Sequence, residues 1–197
     1  PVQKKEWGTY ERFDIALEFI YSEMLKNSQS QQVELIKNML DVDCIKNTNN
    51  PSGLTVALVI WGLLVRPNGP WDHKPKLDRM LELGKNGDYF FPIRGDSSNE
   101  YYYDIWSNIH FGFVGLAAGI DEETLQSGAA IPILAGNNDH GDILSTEIGF
   151  NLWKTYKLGL TADNIHSALL SYKNDFLRIQ AAYPEELFRV DVWRNGK

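Results

Sequence analysis

Apolar residues in this chain recur in steps of three and four more often than they alternate, a spacing that predicts a mainly helical protein. Over residues 10–26, Phe13, Ala16, Leu17, Ile20 and Met24 form one stripe, with Glu11, Asp14 and Glu18 on the polar side. A second helix is expected over 30–42, with Val33, Ile36 and Leu40 inward and Ser30 as its N-cap. Leu54–Val65 is almost continuously apolar and longer than most strands, so a buried helix is predicted. Pro67-Asn68-Gly69-Pro70 then breaks the chain, and a short helix follows over 76–84. Tyr89–Ile93, with a turn at Gly95-Asp96, is the candidate for a small β-hairpin. Helix is expected again over 101–120, 142–158 and 162–180, while 47–51 and 128–141 read as turn and loop. The fold class is therefore mainly α: one helical bundle over 1–197 with a small hairpin.

Composition narrows the function. Apolar residues make up 43% of the 197 and charged ones 23%, an ordinary globular balance, and no apolar run reaches the length of a membrane span. The formal net charge is −7, and Lys and Arg gather no more densely than Lys4-Lys5 or Arg66 with Lys74 and Lys76. That weighs against a nucleic-acid partner, which needs a basic face to collect phosphates. Cys44 is alone, so no intramolecular disulfide or thiolate zinc site can form. The histidines at 73, 110, 140 and 166 lack metal-ligand spacing, and only Asp139, His140 and Asp142 come near a ligand set. No cofactor or metal is expected. There is also no Gly-x-Ser-x-Gly, His-Glu-x-x-His, phosphate loop or dinucleotide fingerprint.

Carboxylates remain. Glu23 projects beside Ala16, Phe19 and Ile20 at the edge of the apolar face, where desolvation would raise its pKa and suit it to be a general acid. The plainer reading is a buried-edge Glu satisfied by a local partner. In the segment 101–119, Asp104, Asn108, Gly112, Gly115 and Gly119 share one stripe if the segment is helical, and His110 points the opposite way. Helix-interior glycines cost about 1 kcal/mol each, so another backbone or a groove must approach that face. Asp142 stands where a helix should begin, which makes N-capping its default role, and Glu147 is unusual in an otherwise apolar helix. Trp71-Asp72-His73-Lys74 sets an aromatic, an acid and bases on a loop.

Glu23-Met-Leu-Lys-Asn-Ser28, Leu64-Val-Arg-Pro-Asn-Gly-Pro-Trp-Asp-His-Lys74 and Tyr103-Asp-Ile-Trp-Ser-Asn-Ile-His-Phe-Gly-Phe-Val-Gly115, with Asp142 and Ile148-Gly149, resemble the motif series of the polymorphic toxin type 44 domain family. The resemblance covers roughly 10–160, and Asp-x-Trp-x-Asn-Ile-His-x-Gly is its most specific part. It implies an all-helical C-terminal toxin of a bacterial secretion system, a ribonuclease activity, and motif positions at Glu23, Asn27, Trp71, Asp72, Lys74, Asp104, Asn108, His110, Gly112 and Asp142. His73 departs from the aromatic expected there, and Glu147 has no place in the pattern.

Two enzymatic readings follow. The first is a secreted, muramidase-like glycosidase acting on peptidoglycan or another polysaccharide, laid out like the helical lysozymes by analogy. Glu23 is its acid and Asp104 or Asp142 the second carboxylate, with Asn27, Trp71, Lys74, Tyr103, Trp106, Asn108 and His110 binding substrate and Tyr102 adding stacking surface. The alternative is a ribonuclease toxin using His110, Lys74 and Asp104. A third, non-catalytic reading is a glycan-binding module. A cognate immunity protein is a further expected partner; a membrane is not.

Overall fold

The computed structural model describes residues 7–42, 53–85, 88–127 and 138–193, so Cys44, the turn at 47–51 and most of the loop at 128–141 lie outside the described residues. The predicted stripe forms α1 (Glu11–Ser28), which buries Phe13, Ala16, Ile20 and Met24. It is followed by α2 (Gln31–Val42), with the Ser30 hydroxyl accepting from Val33 N at 3.3 Å as the expected N-cap. The apolar run is helical, as α3 (Gly53–Val65), and a short α4 (Lys74–Leu81) follows the Pro-Gly break. None of the described helices is long and apolar enough to cross a membrane.

The hairpin is present as β1 (Phe90–Pro92) paired antiparallel with β2 (Asn99–Tyr102). Helix was expected to start at Tyr101, but Tyr101 and Tyr102 are strand. The buried Tyr101 hydroxyl donates to Asp96 Oδ2 at 2.9 Å, and Lys173 Nζ sits 2.8 Å from the same oxygen. Burial raises the Asp96 pKa, but Lys173, the Ser98 amide and Tyr101 together bring it below the usual carboxylate value. This fixed acid pins the turn, and the aromatic run suits a pleated surface better than a helix start.

Helix resumes as α5 (Ile105–Ala117), then α6 (Glu122–Ser127), an element the periodicity did not reveal. A Schellman motif ends α5: Gly119 N donates to Leu116 O at 3.0 Å and Ile120 N to Gly115 O at 3.2 Å, with Gly119 at φ 85°. Gly119 therefore serves the cap rather than the glycine stripe. Next comes α7 (His140–Tyr156). Where α5 and α7 cross, a Cβ on Gly112 would run into Thr146 O, and one on Gly149 would lie 2.7 Å from Phe113 N. The glycines at the crossing thus serve backbone-to-backbone packing, the blander of the two explanations for the stripe.

The expected single helix over 162–180 is two, α8 (Ala162–Ser171) and α9 (Lys173–Ala182). They meet at Tyr172, whose hydroxyl accepts from Asn151 Nδ2 at 2.6 Å. The Ser171 hydroxyl bonds Ala168 O at 2.7 Å beside the break, a local competitor of the helix ladder. A third strand, β3 (Val190–Val192), pairs with β2 to give the order β1-β2-β3. Gln180 clasps its start, accepting from Val190 N at 2.9 Å and donating to Val190 O at 2.7 Å. The chain thus returns to lay residue 189 against the beginning of α5.

Candidate active site

Two chain breaks converge on one cleft. Trp71 N bonds Leu64 O at 2.8 Å, folding the Pro-Gly turn back on the end of α3. Asp72 accepts from Asn68 N at 2.8 Å and Lys74 N at 3.2 Å, so its carboxylate shapes the turn. Asp139, not Asp142, is the N-cap of α7: its side chain accepts from Asp142 N at 2.8 Å. That correction frees Asp142 to face the cleft. The cavity, about 350 Å³, is lined by Trp71, Lys74, Asn108, Phe111, Asp142 and Thr146 among others.

Arg189 stands behind one wall, only 2% exposed. Its Nε lies 2.9 Å from Asp104 Oδ1, and its Nη2 lies 2.7 Å from Asp142 Oδ1 and 3.1 Å from Asp139 Oδ1. Nη1 donates to Leu187 O at 2.7 Å. The Nε–Asp104 contact is an ion pair without hydrogen-bond alignment, which leaves both atoms without a hydrogen-bond partner. Lys74 Nζ approaches Asp104 Oδ2 at 3.5 Å, and Asn108 Nδ2 donates to Asp142 Oδ1 at 2.6 Å. Burial pushes the Asp104 pKa up to about 6; Arg189 and Lys74 oppose the rise, while Asp142 and Asp139 add to it.

The other candidates lie elsewhere. Glu23 is bonded by Lys26 Nζ at 2.8 Å, with Lys76 Nζ at 3.8 Å and His73 Nδ1 at 3.9 Å, and it does not line the cleft. Burial raises its pKa, but Lys26, His73 and Lys76 outweigh that and leave it below the ordinary glutamate value. The protonated acid expected at this position is therefore an ion-paired carboxylate. Asn27 is buried, donating through Nδ2 to His110 Nε2 at 2.9 Å. His110 is buried against His73, ring centroids 4.1 Å apart, and burial holds its pKa well below the usual histidine value. Trp106 is fully buried between Phe13 and Phe91 and presents no stacking surface. Tyr103 packs on Tyr89 and Tyr102 outside the cleft lining, and Glu147 accepts from Gln126. His140 Nδ1 pairs with Glu186 Oε1 at 2.8 Å, while Asp139 and Asp142 face Arg189; no metal-holding group of three occurs among the described residues.

Sequence reasoning missed Arg189 and the capping role of Asp139. Arg189 follows the polar stretch Pro184–Glu186 and belongs to no apolar period, so nothing local marks it as buried. The Glu23 result makes a prediction: Glu23→Gln changes stability by less than about 1 kcal/mol in urea unfolding, because its hydrogen-bond partner Lys26 is largely exposed.

No curated protein and no solved structure matches the chain. Residues 60–155 match the family model described as bacterial toxin 44. That stretch holds Trp71, Lys74, Asp104, Asn108 and Asp142, and leaves Glu23, Asn27 and Arg189 outside. Over the residues that build most of its cleft, this chain is therefore similar to the bacterial toxin 44 family, which its motifs also resemble.

Proposed function

We propose that the protein is a toxin of a bacterial polymorphic system that hydrolyses glycosidic bonds of peptidoglycan, with Asp104 rather than Glu23 as its acid. The observation that carries this is the pair Asp104 and Asp142: two carboxyls in unlike surroundings tied to one guanidinium, Asp142 in the lining of an aromatic-bearing cleft and Asp104 buried just behind it, beside the cleft residue Lys74. Glycoside hydrolysis needs such a pair, one member holding a proton and the other negative. Asp104, with its pKa raised to about 6, retains a proton in mildly acidic solution and donates it to the leaving oxygen. Asp142 lines the cleft and supplies the charge that balances the positive sugar carbon until water adds to that carbon, its proton replacing the one Asp104 gave up. Trp71 and Phe111 give apolar surface for a sugar face, and Lys74, Ser107 and Asn108 offer polar groups for hydroxyl and acetamido substituents. The toxin reading brings with it a cell-wall target outside the producing cell and an immunity protein as protein partner. The ribonuclease alternative draws less support, because its base, His110, is 1% exposed and bound to Asn27.

The test is hydrolysis of purified sacculi between pH 4 and 8, followed by turbidity and by release of reducing sugar, with RNA as parallel substrate. Activity is expected below pH 6 and to decline above it as Asp104 loses its proton. Stability moves the same way. The folded pKa of about 6 exceeds the reference 3.8, so the native state holds the proton more tightly and loses stability as pH rises between those values. Cleavage of RNA with intact sacculi would overturn the proposal, and so would sacculus binding without hydrolysis.

A further inference from the structure

Among the described residues, Arg189 is the buried cation of this site, and it lies outside the matched toxin segment. Its planar group serves four separate partners through three different nitrogens: Nη1 takes the Leu187 carbonyl, Nη2 takes Asp139 and Asp142, and Nε faces Asp104. A flexible ammonium on a single stem has no such fork. The backbone on either side is equally fixed. Tyr102 N donates to Arg189 O at 2.9 Å, and the Gln180 side-chain Oε1 accepts from Arg189 N at 3.2 Å. The ring of Tyr102 lies 5.6 Å from the guanidinium carbon on another side.

We infer that Arg189 is a positioning residue, which holds Asp104 and Asp142 at a set separation so that they act as a pair on a bound glycan. This inference rests on the proposed function. At 2% exposure Arg189 does not meet substrate; it acts through the two carboxylates. The charged and titratable groups around Asp104 come from every side: Arg189 before β3, Lys74 at the start of α4, Asp139 and Asp142 at the start of α7, and the hydroxyls of Tyr102 and Tyr103. Without the guanidinium, three carboxylates face one another with only the half-exposed Lys74 between them and solvent. Asp104 would then hold its proton more tightly, and Asp142 would be left with Asn108 alone of the two side chains that orient it.

Charge and position are separable by two substitutions in the full chain. Arg189→Met removes both, and Arg189→Lys restores charge without the fork. The first readout, the ¹³C carboxyl titration of Asp104, needs no substrate. Its midpoint is expected to rise by about one pH unit or more in Arg189→Met and to stay near the wild-type value in Arg189→Lys. The second readout is sacculus hydrolysis, where Arg189→Lys is expected to lose about tenfold or more in kcat with KM nearly unchanged. A merely structural arginine would alter unfolding and leave the titration of the folded protein where it was. An unshifted midpoint in folded Arg189→Met, or full kcat in Arg189→Lys, overturns the inference. If Arg189→Met does not fold, the kcat of Arg189→Lys decides alone. If the wild type hydrolyses no sacculi, the proposed function fails, and the titration still reports whether Arg189 governs Asp104.

Discussion

Asp104→Asn is expected to lower sacculus hydrolysis by about 10²–10⁴-fold, the range that a positioned general acid contributes. The substitution keeps the shape of the side chain and removes only its proton chemistry. Arg189 keeps two carboxylate partners, Asp139 and Asp142, so its charge remains compensated. Burial is what raises the Asp104 pKa, so a neutral amide removes that cost above about pH 6. Thermal unfolding at pH 7 should therefore give a midpoint equal to or above that of the wild type. Loss of activity together with a large loss of stability would show that Asp104 holds the fold rather than the proton. Retained activity would remove it from the mechanism.

Gly149→Ala is expected to be the most damaging single-methyl change to stability. An added Cβ would run into Ile109 O and lie 2.7 Å from Phe113 N and 3.0 Å from Gly112 Cα, all of them backbone atoms. Backbone cannot swing aside as a side-chain tip does, so α5 and α7 must separate. Overpacking of this kind costs about 3 kcal/mol, which for a chain of this size lowers the melting midpoint by roughly 6–12 °C. Gly159→Ala is the matched control. Nothing lies within 4 Å of its added Cβ, and a change below about 0.5 kcal/mol is expected. Because α5 carries Asn108 and α7 carries Asp142, forcing the helices apart should also loosen the 2.6 Å bond between those residues and reduce activity in the protein that remains folded.

Most helices were legible because they bury a face whose period shows locally; α6, six residues long with only Leu125 buried, is too short to show one. The α1 stripe and the apolar run of α3 need no knowledge of what covers them. The same stripe logic, applied to Trp106, Ile109 and Phe113, would have placed Trp106 in the core, and all three are fully buried. Its expected role as a sugar platform came from residue type alone. Glu23 was misjudged for a different reason. A helical projection shows which face a carboxyl occupies, but Lys76 comes from α4, and its proximity is a product of the fold. Asp142 was displaced from its capping role by three residues, because a polar loop offers several acids able to cap and only geometry selects one. Arg189 was out of reach: its partners lie dozens of positions away, and polar pairing over such separations leaves no periodic trace.

The dependence on Arg189 also has a temporal side. Asp104, Asp139 and Asp142 emerge from the ribosome well before the arginine that neutralises them. Until residue 189 is synthesised and β3 has docked on β2, the nascent polypeptide holds an acid cluster with no buried counter-ion and no set spacing. On the proposed function, the site stays chemically unarmed until Arg189 has been made and set in place.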